Sequence, residues 1–379
     1  MSLSSPGFAF TILAFLLVIG PLIFVHELGH YFVGRWFGVK AETFSIGFGR
    51  EIFGWTDRRG TRWKVGWLPL GGYVRFKGDM NPASTPSDEW LALPAAERAE
   101  TFQARPLWQR FLIVLAGPVT NFLFAILVYV ALFASYGEPR TPPVVGGLAP
   151  NSAAVEAGFR PGDRILSIDG NEIGRFEDIA SYVGLRPDQN MRIEVQRGDE
   201  RLFLNARPKS DIRRDSFGNE ARVGLLGVAR GGEAEVVPLQ PHEAVGAAFR
   251  ETGETVQMMV VTLGQVFRGA RSLKEMGGPL KIAQFSGQQA SLGWLDFVLF
   301  MSLISINLGF INLLPIPMLD GGHLFFYGIE AVRRKPLRPE AQEWAFRTGL
   351  AALLALMILV TFNDLASFGL WSKLGGLID

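Results

Sequence analysis

Residues 7–32, GFAFTILAFLLVIGPLIFVHELGHYF, decide the fold of this chain. The stretch is apolar for long enough to cross a bilayer, whose hydrocarbon core requires about 20 apolar residues in a helix. Its apolar part continues directly into His26-Glu27-Leu28-Gly29-His30. An ionisable residue in such a helix raises the free energy of membrane insertion by roughly 2.5–3.5 kcal/mol, so its presence indicates a partner or a function. We therefore predict a membrane helix over residues 1–37 that carries a polar functional site.

The composition supports a membrane protein and narrows the possible chemistry. Of the 379 residues, 48% are hydrophobic and 19% are charged, whereas soluble domains carry roughly 25% charged residues. The net charge of +1 and the lack of a basic stripe with interleaved aromatic residues argue against nucleic-acid binding. The chain has no cysteine, so a metal would have to be held by histidine and carboxylate side chains. Its four histidines are His26, His30, His242 and His323.

Three further stretches extend the membrane pattern. Apolar segments occupy residues 111–136, 293–330 and 344–363, and a tail follows at 364–379. The sequence thus predicts a polytopic α-helical membrane protein with about four transmembrane helices. A secretory signal peptide is the alternative for the first stretch. It is disfavoured because no basic residue precedes the apolar run and no small-residue cleavage site precedes His26.

Lysine and arginine residues predict the orientation, since short connections rich in them stay on the inner side. Residues 1–34 contain none. The connections between spans one and two and between spans three and four are rich in them: Arg35, Lys40, Arg50, Arg58, Arg59, Arg62, Lys64, Arg75, Lys77, Arg98, Arg105 and Arg110, then Arg333, Arg334, Lys335, Arg338 and Arg347. We expect both connections inside, and both termini and the long segment 140–290 outside.

Between the second and third spans the pattern becomes that of a water-soluble domain. Short β-type runs at 144–147, 191–196 and 201–206 alternate with helical stretches at 151–158 and 176–185. This order and the words AGFRPGDRILSIDG resemble a PDZ domain, which binds a peptide as an added strand. We predict a periplasmic PDZ domain at 140–232, with 224–228 as the candidate carboxylate-binding loop, and an amphipathic linker helix at 240–290. A small α/β domain without a peptide ligand is the alternative.

The inner connection, residues 38–110, contains β-type segments. Phe44, Ile46 and Phe48 alternate with smaller residues, and 61–70 followed by 72–76 predicts a hairpin around Gly71-Gly72. We expect a β-rich re-entrant segment on the cytoplasmic side, with Gly71 and Gly72 at a strand edge that pairs with an extended substrate. A purely structural cytoplasmic β-layer is the alternative.

The pattern His26-Glu27-x-x-His30 predicts a metal centre. Histidines four residues apart lie on one face of a helix and can share one zinc ion, with the intervening glutamate placed to take a proton from water. A third ligand is missing from this stretch. By the orientation above, His242 lies outside, whereas Asp320 follows the third span at the depth of His26 and His30. Asp320 is therefore the candidate, with an ordinary Asp-Gly turn as the alternative.

Together, these motifs resemble the bacterial site-2 proteases of the regulator of sigma-E protease type. The resemblance rests on HELGH, the PDZ insert, NLLPIPMLDGG at 312–322, AGPVTNF at 116–122 and GGPLKIAQ at 277–284. It implies a Zn²⁺ cofactor, the metal ligands His26, His30 and Asp320, and Glu27 as the general base. It further implies that Asn312, Pro315 and Pro317 shape the substrate cleft. Many relatives carry two PDZ domains in tandem, and this chain has one.

The resemblance also implies an activity and a place. The expected enzyme is an intramembrane metalloendopeptidase of the bacterial inner membrane, with its active site towards the cytoplasm. Its expected substrates are single-pass membrane proteins, either anti-sigma factor-like regulators or signal-peptide remnants. Two other functions remain as alternatives: a non-catalytic PDZ scaffold, which has no use for the His-Glu-His-Asp set, and a metal transporter, which leaves the PDZ domain unexplained.

Overall fold

The structure is a computed structural model that describes residues 7–78, 90, 92–214, 220–232, 235–268, 278–335 and 337–367. The chain divides into two compact units. The first comprises Met1–Val128 and Gly278–Thr361, and the second comprises Tyr129–Gly277 and Phe362–Asp379.

The helices and strands of the described residues are as follows. In chain order the helices are α1 (Phe8–Trp36), α2 (Ala95–Arg98), α3 (Leu107–Tyr136), α4 (Ala153–Glu156), α5 (Phe176–Gly184), α6 (Pro241–Phe267), α7 (Pro279–Leu292), α8 (Trp294–Leu313), α9 (Asp320–Arg333) and α10 (Pro339–Ser367). The strands are β1 (Ala41–Thr56), β2 (Arg62–Phe76), β3 (Glu138–Arg140), β4 (Val145–Leu148), β5 (Arg164–Ile168), β6 (Asn171–Glu172), β7 (Met191–Arg197), β8 (Glu200–Ala206), β9 (Lys209–Arg214), β10 (Glu220–Leu225), β11 (Val228–Arg230) and β12 (Glu235–Val237).

Four of these helices are long and apolar enough to cross a membrane: α1, α3, α8 and most of α10. Much of their apolar surface faces away from the protein, as it does in helices that contact lipid. The predicted membrane protein with about four transmembrane helices is confirmed. The helix α1 contains the whole HELGH stretch and ends one residue before the predicted boundary.

The third span ends earlier than the predicted segment 293–330. The helix α8 stops at Leu313, an irregular connection occupies 314–319, and α9 starts at Asp320. Pro315 and Pro317 lie in this connection, where a proline removes a backbone donor and clashes with the preceding helical turn. The helix therefore breaks directly before the LDGG motif.

The β-rich segment is a bent antiparallel sheet made by β1 and β2. Its pairing differs from the predicted hairpin around Gly71-Gly72, because residues 43–46 lie between residues 62–65 and residues 72–75 and pair with both. Gly71, with a φ of 120°, allows β2 to bend back across β1. The outer edge of residues 72–76 pairs with no other described strand.

Aromatic packing fixes this sheet to α1. Phe44 is buried, and its ring lies 4.3 Å from that of Trp63 and 5.9 Å from that of Tyr31 on α1, measured between ring centroids. The stacked and edge-to-face rings bury a large apolar area, which orients the sheet against the helix that carries HELGH.

The second unit contains the inserted domain with the predicted PDZ order of elements. A four-stranded sheet has the order β6-β5-β7-β8, with α4 before β5 and α5 before β7. Its core is formed by buried aliphatic side chains such as Ile165, Ile168, Ile193 and Val195. Every second residue of these strands points into this core. This alternation is visible in the sequence and allowed the order of the strands to be predicted.

The predicted linker at 240–290 contains two helices, α6 and α7, in place of one. The helix α7 begins with Pro279 directly after Gly278. Proline is favoured in the first turn of a helix and disfavoured inside one, so this pair starts a new helix.

Candidate metal centre

The centre starts on α1, where His26 and His30 lie one turn apart. Their Nε2 atoms are 3.3 Å from each other. Glu27 lies between them and is buried, with 7% of its surface exposed. Its carboxylate lies near the backbone amide of Val74 on β2. The β1–β2 sheet thus lies beside the carboxylate, a contact that the sequence did not predict.

Asp320, nearly three hundred residues away along the chain, joins the two histidines. Its Oδ2 lies 3.1 Å from His26 Nε2 and 3.5 Å from His30 Nε2. All three side chains belong to the first unit. The structure thus brings together three candidate ligands from two segments that are far apart in the sequence.

The distances between these three atoms fit a zinc ion. Ligand atoms about 2.0–2.2 Å from a tetrahedral zinc lie about 3.3–3.6 Å from each other, and the observed separations are 3.1, 3.3 and 3.5 Å. Two imidazoles and one carboxylate are also ligands that zinc prefers, and a catalytic zinc keeps a fourth position for water or substrate. The donor set therefore fits a catalytic zinc site.

Glycines after Asp320 allow the connection before α9 to fold back. A Cβ on Gly321 would overlap the carbonyl oxygen of Leu314, and one on Gly322 would lie 2.5 Å from the carbonyl oxygen of Ile316. Packing therefore requires glycine at residues 321 and 322, because larger residues would push the Asp320 carboxylate away from the histidines. Metal binding would in turn require the aspartate.

The helix α3 approaches the HELGH turn closely. A Cβ on Gly29 would lie 2.5 Å from Ala116 O, and a Cβ on Gly117 would overlap His30 Nε2 and lie 2.9 Å from His26 Cε1. Glycine on both helices permits this contact, which leaves no space for any side chain at residue 117.

The same helix contacts the far nitrogen of each imidazole. His30 Nδ1 lies 2.9 Å from the carbonyl oxygen of Ile113, and His26 Nδ1 lies 3.1 Å from Nδ2 of Asn121. The sequence pattern assigned no role to Asn121. The only indication of a role in the sequence was that Asn121 lies in the AGPVTNF stretch.

A cavity of about 630 Å³ opens onto the centre. Gly71 and Gly72 from the bend of β2 line it together with Glu27 and with Asn312 from the end of α8. Hydrophobic residues of α10, among them Leu353, contribute to its wall. The cavity therefore combines the candidate ligands, the carboxylate and the free edge of β2 in one place.

Four other residues singled out from the sequence have different positions. Pro315 and Pro317 lie in the connection before α9 and do not line this cavity, and Pro317 packs against Gly349 of α10. His323 does line the cavity, with its ring 4.7 Å from that of Phe346. His242 lies in the first turn of α6, in the second unit.

Comparison with known proteins places the chain in a family. The model of peptidase family M50 matches residues 14–356. The chain is 44% identical over 360 residues to "Putative zinc metalloprotease Atu1380" of Agrobacterium fabrum, covering 94% of this chain and 96% of that protein. It is 38% identical over 397 residues to "Metalloprotease MmpA" of Caulobacter vibrioides, covering 98% and 99%. The PDZ domain of an SdrC-like protein from Listeria monocytogenes aligns with 24% of this chain and 88% of that chain, with 18% identity and a TM-score of 0.19.

The family match includes all three candidate ligands and Glu27, and the relatives align over nearly their whole length. This outcome confirms the resemblance to the site-2 proteases and sets aside a non-catalytic scaffold and a metal transporter. The chain belongs to peptidase family M50 and is a zinc metalloprotease.

Proposed function

We propose that this metalloprotease hydrolyses peptide bonds in or near the transmembrane segments of single-pass membrane proteins. The observation that carries the proposal is the position of His26, Glu27 and His30 within α1, a helix apolar enough to cross a membrane. A site within such a helix is accessible to substrate segments that lie in the bilayer.

In the proposed mechanism His26, His30 and Asp320 hold the zinc ion. When bound, zinc lowers the pKa of a coordinated water to about 7 and polarises the scissile carbonyl. A carboxylate oxygen of Glu27 takes the proton of the attacking water and delivers it to the leaving nitrogen. The Glu27 side chain lies against β2, where a Cβ on Gly72 would come within 2.9 Å of Glu27 Cγ.

The substrate also has to lose its helical hydrogen bonds, because a membrane helix satisfies all its backbone groups internally. The free outer edge of residues 72–76 borders the cavity and supports pairing with an extended substrate strand. Gly71 and Gly72 leave room for the substrate backbone there. Asn312 would bond to freed amides, while Pro315 and Pro317 keep the neighbouring connection non-helical.

The PDZ domain is proposed to bind the tails of peptides. A cavity of about 330 Å³ lies between α5 and residues 223–228, lined by Ile179, Val183 and Leu226 among others. A groove between a helix and a strand edge suits an added peptide strand, with the predicted carboxylate loop at one end. Titration of the full chain with labelled peptides that end in a free carboxylate or in an amide tests this part.

The proposed location is the bacterial inner membrane, with the termini and the PDZ domain in the periplasm and the active site towards the cytoplasm. The distribution of lysine and arginine between the connections supports this orientation. Two substrate classes suit it: anti-sigma factor-like regulators that a first cut has trimmed, and signal-peptide remnants.

The deciding experiment substitutes Glu27→Gln, which preserves the shape of the side chain and removes its basicity. We expect cleavage of a tagged single-pass substrate in liposomes to fall about 10²–10⁴-fold, the usual contribution of a general base. Bound zinc, measured by atomic absorption, should stay at the wild-type level because no ligand changes.

The matched control is Glu340→Gln at the exposed start of α10, which should cleave like the wild type. Persistent cleavage by Glu27→Gln would overturn the mechanism. Equal or better cleavage of an unfolded soluble protein in place of the membrane substrate would overturn the intramembrane activity.

A further inference from the structure

Asn121 is a fully buried polar residue in the apolar helix α3, and its carboxamide contacts a candidate zinc ligand. The residue has 0% of its surface exposed, and its Nδ2 lies 3.1 Å from His26 Nδ1. Its Oδ1 is buried and has no hydrogen-bond partner among the described residues. A buried carbonyl oxygen without a partner is unfavourable because it has lost its hydrogen bonds to water, so the arrangement calls for an explanation.

The chemistry of histidine supplies one. A neutral imidazole has one protonated nitrogen and one with a free lone pair. If the NH₂ group of Asn121 donates to Nδ1 of His26, the proton resides on Nε2, which then cannot ligate a metal. If the carboxamide rotates by 180° about its terminal bond, Oδ1 accepts a hydrogen bond from Nδ1–H, and the lone pair of Nε2 points to the metal centre. The two orientations occupy nearly the same space.

The second histidine shows the same arrangement with a fixed acceptor. His30 Nδ1 contacts the carbonyl oxygen of Ile113, which can only accept, so this imidazole carries its proton on Nδ1 and directs Nε2 to the centre. Residues 113, 117 and 121 are spaced by four and form one ridge of α3. The bare backbone of Gly117 in the middle lets this ridge reach both imidazoles.

From this geometry we infer that Asn121 is a positioning residue that accepts a hydrogen bond from His26 Nδ1–H and so fixes the zinc-binding tautomer and ring orientation. Outer partners of this kind raise the basicity of a histidine ligand, and their loss typically weakens metal binding 10–100-fold. The inference rests on the zinc site of the proposed function. It is independent of which peptide bond the enzyme cleaves.

The test measures zinc affinity of the full-length protein in detergent by competition with a chromophoric chelator. Asn121→Leu keeps the approximate shape and removes the acceptor, and we expect affinity to fall 10–100-fold. Asn121→Asp retains an oxygen acceptor and is expected to keep affinity near the wild-type value. Unchanged affinity in the leucine variant, or equal loss in both variants, would overturn the inference.

A control separates this effect from helix packing. Ser305 on α8 donates a hydrogen bond of 2.8 Å to the backbone oxygen of Asn121. Ser305→Ala should keep wild-type zinc affinity, and a loss as large as that of Asn121→Leu would assign the effect to packing. Excess zinc should restore occupancy and cleavage in Asn121→Leu, whereas a misfolded variant would not recover.

Because zinc affinity is the readout, the outcomes remain distinguishable. A variant series that changes affinity as expected supports the role of Asn121 even if the membrane substrate is not cleaved. Conversely, intact cleavage of that substrate with no change in zinc affinity across the series rejects the role of Asn121 alone.

Discussion

Single glycines decide how close the proposed zinc ligands can come to the helix α3. Gly29 on α1 lies against Ala116 and Thr120 of α3, and Gly117 on α3 lies against His26 and His30 of α1. In lipid the hydrophobic effect does not favour contact between helices, so their association depends on close packing. Small residues at the contact usually allow that close approach. Here the close approach has a chemical use, because it brings backbone and side-chain acceptors of α3 to both imidazoles.

Gly117→Ala is therefore expected to damage the metal centre. The added methyl group would overlap His30 Nε2, and the ring or the helix must move. Overpacking of this kind costs about 1–3 kcal/mol, and we expect zinc affinity to fall more than about 10-fold. Chelator competition measures this loss.

The matched control for that change is Gly20→Ala in α1. A Cβ at this position meets nothing within 4 Å, so zinc affinity should stay at the wild-type value. If Gly117→Ala binds zinc as well as Gly20→Ala does, the close approach of α3 has no role in the centre.

At the scale of elements, the β1–β2 sheet acts as the partner of α1. Its aromatic residues pack on one side of the helix, and its edge at residues 72–76 borders the metal centre. The backbone of Val74 lies near Glu27, so a strand borders the proposed general base. A β-segment next to a membrane site is tolerated where it lines a cavity, which this one does.

Gly72→Val tests this arrangement. A Cβ on Gly72 would lie 2.7 Å from Ile23 Cγ2 and 2.9 Å from Glu27 Cγ, so the strand must shift away from α1. Displacement of a catalytic group by about 1 Å can cost about 100-fold in rate, and we expect such a loss in cleavage of the membrane substrate. Zinc content should not change, because the ligands are not contacted.

The control in the same strand is Val65→Thr, at an exposed position that favours strand structure either way. It should cleave normally. Wild-type activity in Gly72→Val would remove the strand edge from the proposed mechanism, and loss of zinc in that variant would show that the sheet supports the ligands instead of Glu27.

For the whole molecule, the absence of cysteine is an experimental advantage. Single cysteines can be introduced into the full chain without a background of native thiols. The proposed orientation places the loop between β1 and β2 in the cytoplasm and the PDZ domain in the periplasm, because arginine and lysine concentrate in the short connections.

We expect Asp199→Cys, in the turn between β7 and β8, to react with a membrane-impermeant maleimide in intact spheroplasts. Arg59→Cys, between β1 and β2, should react only after the membrane is permeabilised. Both positions lie in exposed turns, so a difference in labelling reports their side of the membrane. The reverse pattern would contradict the proposed orientation.

Much of this architecture could be read from sequence because its signals are local. Apolar runs of about 20 residues are sufficient to predict spans, since lipid excludes most other structures. The HELGH spacing predicted two facing histidines, and alternating residues predicted the order of the PDZ elements. Each of these inferences depends on near neighbours along the chain.

Other features depended on contacts between distant segments. The sequence by itself determined a membrane protein, a paired-histidine site and Asp320 as a candidate at matching depth. Only the tertiary structure decided that residues 43–46 would pair between 62–65 and 72–75, that β2 would lie beside Glu27, and that Asn121 would contact His26. The physical reason is that strand pairing and contacts behind a metal ligand are set by how bent strands and close helices pack, and no local periodicity encodes that packing.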